Sequence, residues 1–233
     1  MQIDPDLQRA FGQGEIVLQG QFLLGSNYTF LVEVRHAGRL FLGVYKPIRG
    51  EQPLWDFEEN TLALRETAAY LVSEVLGFDL VPYTVLRQEG PLGPGALQQY
   101  IEYDPEHHYF NFTEEERQLL KPVVLFDLLT NNADRKGSHI FFDADHKLWA
   151  IDHGLCFHVE DKLRTVIWDF AGQEIPDDLL SLLARTRACR GPLEPYLRPE
   201  EIAALERRAE ELLAQRRFPF PPRHRRAVPY PLI

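Results

Sequence analysis

The chain has 233 residues, of which 45% are hydrophobic and 26% charged, with a formal net charge of −10. This length and composition predict a globular protein, built as one large domain or as two packed lobes, and exclude a disordered chain. The acidic balance argues against nucleic acid as a partner. No apolar run approaches the roughly 20 residues of a membrane-spanning helix, and the N-terminus lacks an export signal. We therefore expect a cytoplasmic protein without a transmembrane segment.

Only two cysteines are present, Cys156 and Cys189. They are too few for a disulfide framework and lack zinc-ligand spacing, so a buried reduced thiol is expected for each.

The first part of the chain is predicted to form a small sheet. Alternation and turn residues indicate three strands, at residues 15–18, 29–34 and 40–46. The first turn contains Gly25 and Ser26, and such small residues let backbone amides approach a phosphate. This signal is weak by itself, because most turns of this composition are only turns.

A helix is predicted over residues 62–76, with Asn60 and Thr61 available to cap its start. Glu66 lies near the beginning of this helix, and Lys46 ends the third strand twenty residues earlier. The two side chains can form a pair that holds nucleotide phosphates. The alternative is a solvated lysine and a glutamate that only interacts with the helix dipole.

The second half of the chain is expected to be more helical. Thr113 and Glu116 form a capping-box pattern, and Pro122 interrupts the helix that they open. Helical character returns at 177–184 and 199–214. The predicted division is an N-lobe over residues 1–101, a C-lobe over 102–217 and a basic, proline-rich tail over 218–233.

The tail carries arginines without a single acidic residue. It can meet an acidic substrate, a membrane surface or the protein's own acidic face, and we favour docking on the protein's own body.

A hairpin connects two polar stretches in the second half. Aromatic and branched residues at 139–142 and 148–151 flank a polar cluster at 143–146, which predicts two strands and a turn. Antiparallel pairing would place His139 opposite Ile151 or the following residue. The stretches at the open end of the hairpin are therefore expected to meet.

These stretches space polar groups as a phosphoryl-transfer site needs them. The first contains Asp134 in Asn131-Asn132-Ala133-Asp134-Arg135-Lys136-Gly137-Ser138-His139, and the second contains Asp152 in Ile151-Asp152-His153-Gly154. One carboxylate can orient or deprotonate an attacking hydroxyl, while the other binds the magnesium that neutralises phosphates. The alternative is a surface hairpin with solvated acids.

The order of these elements resembles the atypical branch of the protein-kinase fold, which includes phosphatidylinositol 3-/4-kinases and HipA-like kinases. The segment Ile151 to Phe157 is especially similar to the region around the metal-binding aspartate of type II phosphatidylinositol 4-kinases. The chain also resembles a family of small bacterial proteins described as phosphatidylinositol-kinase-like. The resemblance covers residues 15–170. It implies an α+β, two-lobed protein-kinase-like fold, with an antiparallel sheet in the N-lobe and a mainly helical C-lobe.

The resemblance also implies roles for individual residues. Lys46 would contact the α- and β-phosphates of ATP, and Glu66 would orient Lys46. Gly25 and Ser26 would cover the phosphates, while adenine would be contacted by Gln99, Tyr100 and Ile101. Asp134 would be the catalytic aspartate, and Asp152 would bind Mg²⁺.

One position departs from the family pattern. An asparagine usually stands five residues after the catalytic aspartate as the second metal ligand, and here that position is His139. A neutral imidazole can ligate a divalent ion, but nitrogen suits Mn²⁺ or Zn²⁺ better than Mg²⁺. Arg135 and Lys136 follow Asp134, where positive charge either stabilises the transferring phosphoryl group or pairs with nearby acids.

Three hypotheses follow. The preferred one is an ATP-dependent kinase that uses Mg²⁺ or Mn²⁺ and phosphorylates a hydroxyl of unknown identity, on a protein, a lipid or another small molecule. The second is a nucleotide-binding pseudokinase in which His139 spoils the metal geometry. The third is a protein-interaction module that uses its basic tail and no nucleotide.

Overall fold

A computed structural model describes residues 3–22 and 27–233. The helices are α1 Pro5–Gln13, α2 Leu62–Leu76, α3 Glu114–Gln118, α4 Lys121–Thr130, α5 Asp177–Leu183, α6 Arg190–Leu193 and α7 Pro199–Gln215. The strands are β1 Glu15–Phe22, β2 Thr29–His36, β3 Arg39–Pro47, β4 Thr84–Arg87, β5 Gly95–Gln99, β6 Ile140–Phe142 and β7 Leu148–Ala150.

The N-terminal lobe is built on an antiparallel five-stranded sheet of order β1-β2-β3-β5-β4. The three predicted strands are confirmed, and each is longer than its sequence pattern indicated. The predicted phosphate-contacting residues Gly25 and Ser26 lie outside the described residues.

The two faces of this sheet have different partners, because successive side chains of a strand point to opposite sides. On one face Val32, Tyr45 and Leu97 form a buried cluster with α1. On the other face Lys46 extends toward the second lobe, where its ammonium meets Asp152. The face of the sheet that carries Lys46 therefore lies on one side of the cleft between the lobes.

Helix α2 begins and ends at the predicted residues, but its predicted cap is wrong. The hydroxyl of Thr61 donates to the carbonyl of Glu58 and caps no helix amide. The carboxylate of Glu51 accepts hydrogen bonds from the amides of Leu62 and Ala63, at 3.1 and 2.9 Å. A side chain from a distant loop thus satisfies amides that local residues leave open.

The C-terminal lobe packs its helices into one hydrophobic core, which also includes residues of α2. The predicted capping box between Thr113 and Glu116 is present at the start of α3. The helix ends before Pro122, which lies in the first turn of α4. The lobe and the sheet together give the predicted α+β, two-lobed fold, while the lobe boundary at residue 101 stays a prediction.

The predicted hairpin is confirmed as β6 and β7, in which Ile140 pairs with Ala150. The amide of Ile151 donates to the carbonyl of His139 at 3.0 Å, just beyond the paired strands. This is the predicted register, and it brings the residue before Asp152 beside His139.

The basic tail docks on the protein's own body, as favoured. Arg225 forms an ion pair with Asp161. The carbonyl of Ala227 accepts a hydrogen bond from the amide of Thr165 at 3.1 Å, and that of Leu232 accepts one from Gly137 at 2.8 Å.

Cys156 and Cys189 are free and buried, as expected. Among the described residues, no helix is long and apolar enough to cross a membrane.

Candidate active site

Lys46 lies between two carboxylates at the junction of the lobes. Its ammonium forms an ion pair with Glu66 on α2 and a second one, at 3.0 Å, with Asp152. Burial lowers the pKa of Lys46, but Asp152 and Glu66 outweigh burial and raise it above its usual range, so the side chain is a cation at neutral pH. Strand β3, helix α2 and the segment after β7 thus meet at one charged group, and the contact between Lys46 and Asp152 was not among the sequence expectations.

Asp152 has an unusual backbone conformation and an open side chain. Its φ is +60°, a region that aspartate tolerates better than most residues and that is common at functional sites. Its side chain is 48% exposed, whereas that of Glu66 is 3% exposed. Partial desolvation opposes ionisation of Asp152, but the ammonium of Lys46, 3.0 Å away, outweighs it and holds the pKa of Asp152 well below its usual range. Asp152 therefore presents a carboxylate to the cleft.

The donor atoms of Asp152 and His139 suit one shared metal ion. Nε2 of His139 lies 3.2 Å from Oδ2 of Asp152. Two adjacent ligands of an octahedral ion, each about 2.1 Å from the metal, lie about 3.0 Å apart. Burial lowers the pKa of His139 to about 4, so its ring is neutral at pH 7 and has a lone pair for a metal.

Within the described part of the chain, no group of three or more potential side-chain ligands surrounds a metal position. Two protein ligands fit an ion such as Mg²⁺ or Mn²⁺, whose other ligands are substrate phosphates and water. They do not fit a structural zinc site, which needs four protein ligands.

Asp134 lies in a loop that is hydrogen-bonded to helix α4 through Asn132. Its amide donates to the side-chain oxygen of Asn132 at 2.9 Å, and Asn132 in turn donates to Asp127 at 3.1 Å. Burial raises the pKa of Asp134 to about 6, although the nearby ammonium of Lys136 opposes this shift. The side chain is thus a carboxylate of raised basicity at neutral pH, which suits proton abstraction.

Arg135 points away from the cleft. Its guanidinium is fully buried and pairs with Asp127 through hydrogen bonds of 2.9 to 3.1 Å. It also donates to the carbonyls of Ile151 and His139, at 2.7 and 3.2 Å. A further contact of 2.7 Å joins it to Nε2 of His153. These bonds hold the loop to α4, to the hairpin and to the segment after it, which favours the structural pairing over the catalytic role as the function of Arg135.

The side chain of Lys136 points toward Asp134, on the side of the loop opposite to Arg135. Its ammonium lies 3.4 Å from Oδ2 of Asp134. The sequence analysis expected positive charge beside Asp134, but it had no reason to prefer Lys136 over Arg135 as its source. Alternation along an extended loop supplies that reason, because neighbouring side chains point to opposite sides.

Of the predicted adenine-contacting residues, Gln99 is the last residue of β5, and Tyr100 and Ile101 follow it. The amide of Gln99 donates to Tyr83 at 2.8 Å, and that of Tyr100 donates to Leu42 at 3.1 Å. For the amide of Ile101, the described residues offer no hydrogen-bond acceptor. Of the three amides, this one is available to a ligand.

No protein-family model matches the chain. Among solved structures, the chain is similar to the crystal structure of the Helicobacter pylori proinflammatory kinase CtkA, with a TM-score of 0.56 over 89% of this chain and 94% of that one. The sequence identity is 12%, so this likeness shows a kinase-like fold and no more.

Among curated proteins, the chain is similar to protein Rv2133c of Mycobacterium tuberculosis strain H37Rv. The two sequences are 39% identical over 271 aligned positions, which cover 99% of this chain and 97% of the relative. This protein therefore belongs to the same family as Rv2133c.

Proposed function

We propose that this protein is an ATP-dependent kinase that transfers the γ-phosphoryl group to a hydroxyl acceptor. The observation that carries the proposal is the meeting of Lys46, Glu66 and Asp152 in one cleft, with Asp134 on a braced loop. The kinase-like fold supports it. Within that fold, the motif around Asp152 supports the phosphatidylinositol-kinase and HipA-like branch.

Lys46 binds the α- and β-phosphates of ATP, and Glu66 holds its ammonium in place. Glu66 is itself fixed, because its second oxygen accepts a hydrogen bond from the amide of His153 at 3.0 Å. The free amide of Ile101 binds the adenine edge, beside Gln99 and Tyr100. Gly25 and Ser26 remain proposed phosphate contacts on the strength of the sequence.

Asp152 and His139 would hold the divalent ion, Mg²⁺ or Mn²⁺. When bound, such an ion neutralises charge on the β- and γ-phosphates. The two donor atoms lie 3.2 Å apart, a separation that is compatible with two neighbouring ligands of one ion.

Asp134 receives the proton of the attacking hydroxyl as the new oxygen–phosphorus bond forms. The bond between the γ-phosphorus and the bridging oxygen breaks, and its electron pair leaves with ADP. Lys136, beside Asp134, stabilises the negative charge of the transferring group. Arg135 contributes by holding the loop against α4.

His139 gives one specific reason to keep a second candidate. A nucleotide-binding pseudokinase would retain Lys46 and Asp152 but would fail to place the metal for transfer. The interaction module is less well supported, because Arg225 of the basic tail, like Arg216 and Arg217 just before the tail, pairs with an acid of the protein's own body.

The test compares wild type with Asp134→Asn. Asp134 touches only the acceptor side of the reaction, so the variant should bind ATP with Mn²⁺ or Mg²⁺ normally. Both proteins should gain the same thermal stability, about 2.7 kcal/mol at 100 times the dissociation constant. ADP release in the presence of candidate acceptors should fall by about 100-fold or more in the variant.

Asp145→Asn, in the exposed turn of the hairpin, is the matched control and should retain full activity. Equal ADP release by Asp134→Asn and wild type would refute the catalytic assignment. Metal-dependent ATP binding without ADP release by the wild type would identify the pseudokinase.

A further inference from the structure

Helix α2 carries a second buried charge beside Glu66. The guanidinium of Arg65 forms an ion pair of 2.6 Å with Glu201, at the start of α7 in the other lobe. It also donates to the carbonyl of Cys156 at 2.7 Å. Both side chains of this pair are almost fully buried. Two consecutive residues of α2 therefore join different partners, since Glu66 pairs with Lys46.

Both members of the pair are well satisfied. The second oxygen of Glu201 accepts a hydrogen bond from the amide of Arg198 at 3.0 Å, at the capped end of α7. The guanidinium of Arg65 lies over the ring of Phe57, 5.1 Å from its centre. A buried ion pair with these additional contacts holds the two helices in one relative position, unlike an exposed surface ion pair.

The pair restricts how α2 can move. Rotating or withdrawing the helix would separate the buried guanidinium of Arg65 from Glu201 and from the carbonyl of Cys156, whereas Glu201 would keep its bonds to Arg198. A buried charge that loses its charged partner is strongly unfavourable. The same motion would separate Glu66 from Lys46. In kinases the lysine–glutamate pair must be formed for transfer, and the position of its helix is often where activity is controlled.

We propose that Arg65 and Glu201 are positioning residues that latch α2 to the C-lobe and keep the Lys46–Glu66 pair assembled without an activating signal. The proposal rests on the proposed kinase function for its catalytic consequence. Its structural part, the restraint of α2 by this ion pair, stands independently of that function.

The structural part is tested by hydrogen exchange. In Arg65→Met and in Glu201→Gln, the amides of α2 should exchange about tenfold faster than in wild type, because the helix opens locally once the latch is removed. Arg190→Met is the matched control, since it removes an exposed ion pair with Glu206, also on α7. The control should leave exchange in α2 unchanged. Unchanged exchange in α2 of both latch variants would overturn the proposal.

The catalytic part is tested by combining variants. Arg65→Met should lower kcat/KM for ATP about tenfold in the wild-type background, yet less than twofold once Glu66→Gln is present, because the latch acts through Glu66. Arg65→Lys, which keeps the charge, should recover part of the rate. An equal loss of kcat/KM in both backgrounds would mean that Arg65 contributes only to the general stability of the fold, and would overturn the positioning role.

The two tests also separate this proposal from the kinase assignment. If the wild type releases no ADP, the proposed function fails while exchange in α2 still decides whether the latch exists.

Discussion

His139 departs from the kinase pattern that the sequence resembles. It supplies a neutral nitrogen where an amide oxygen is usual, and its Nδ1 is buried without a hydrogen-bond partner among the described residues. Nitrogen ligands favour Mn²⁺ over Mg²⁺, and oxygen ligands favour the reverse. The chemistry of one side chain thus sets which ion supports the proposed reaction.

We therefore expect His139→Asn to raise the ratio of Mg²⁺-supported to Mn²⁺-supported kcat/KM by about tenfold. His146→Asn, in the exposed hairpin turn, is the control, because His146 has a φ of +60° that asparagine also tolerates. An unchanged ratio in His139→Asn would show that His139 is not a metal ligand.

At the scale of the element, the start of α2 depends on a residue eleven positions away. Glu51 accepts hydrogen bonds from two amides of the first turn, and no local side chain replaces it there. Glu51→Ala should therefore lower the free energy of unfolding by about 1 kcal/mol, measured by urea denaturation. Glu59→Ala, at an exposed neighbouring position, should leave the midpoint unchanged. Equal effects of the two substitutions would argue against the capping role.

The elements also show what a sequence can and cannot reveal. The bounds of α2 and the register of the hairpin follow from local patterns, namely helix periodicity with a final glycine and two short runs around a polar turn. The cap from Glu51 depends on a tertiary contact, so propensity alone pointed to Thr61. The direction of Arg135 was open for the same reason, since its partner Asp127 lies on a helix whose packing the sequence does not specify.

At the scale of the whole molecule, the C-terminal tail packs against the loops that carry the residues of the candidate site. The amide of Val166 donates to the carbonyl of Arg135 at 3.1 Å, and the adjacent Thr165 donates to Ala227 of the tail. Arg225 anchors this layer through Asp161 and the carbonyl of Leu163. The tail thus supports residues 161–166, which follow Asp152, and through Leu232 it also contacts Gly137 in the loop of Asp134.

Arg225→Ala should lower the free energy of unfolding by about 1 kcal/mol, because it removes charged hydrogen bonds at a partly buried position. Arg223→Ala should have no effect, since Arg223 is exposed and has no partner among the residues described. Thermal unfolding of both variants provides the measurement. Similar losses in the two would mean that the tail acts through its overall charge instead of through this anchor.

The order of a few polar residues along the sequence led to the proposed arrangement of the cleft, because each of them lies near the end of a strand, near the start of a helix or in a loop. The latch between Arg65 and Glu201 had no such signal. Its members are 136 positions apart, and a helical arginine followed by a glutamate is ordinary for a solvent-facing surface.

The burial of both cysteines has a practical consequence for chemical labelling. Burial raises the pKa of the Cys189 thiol to about 12 and that of Cys156 above its usual range, so neither forms an appreciable amount of the thiolate that reacts with maleimides near neutral pH. A cysteine introduced at an exposed site, such as Trp55, would then be the reactive thiol of the native protein. Fluorescent or spin probes can be attached there without first replacing the natural cysteines, whose packing in the core would be lost.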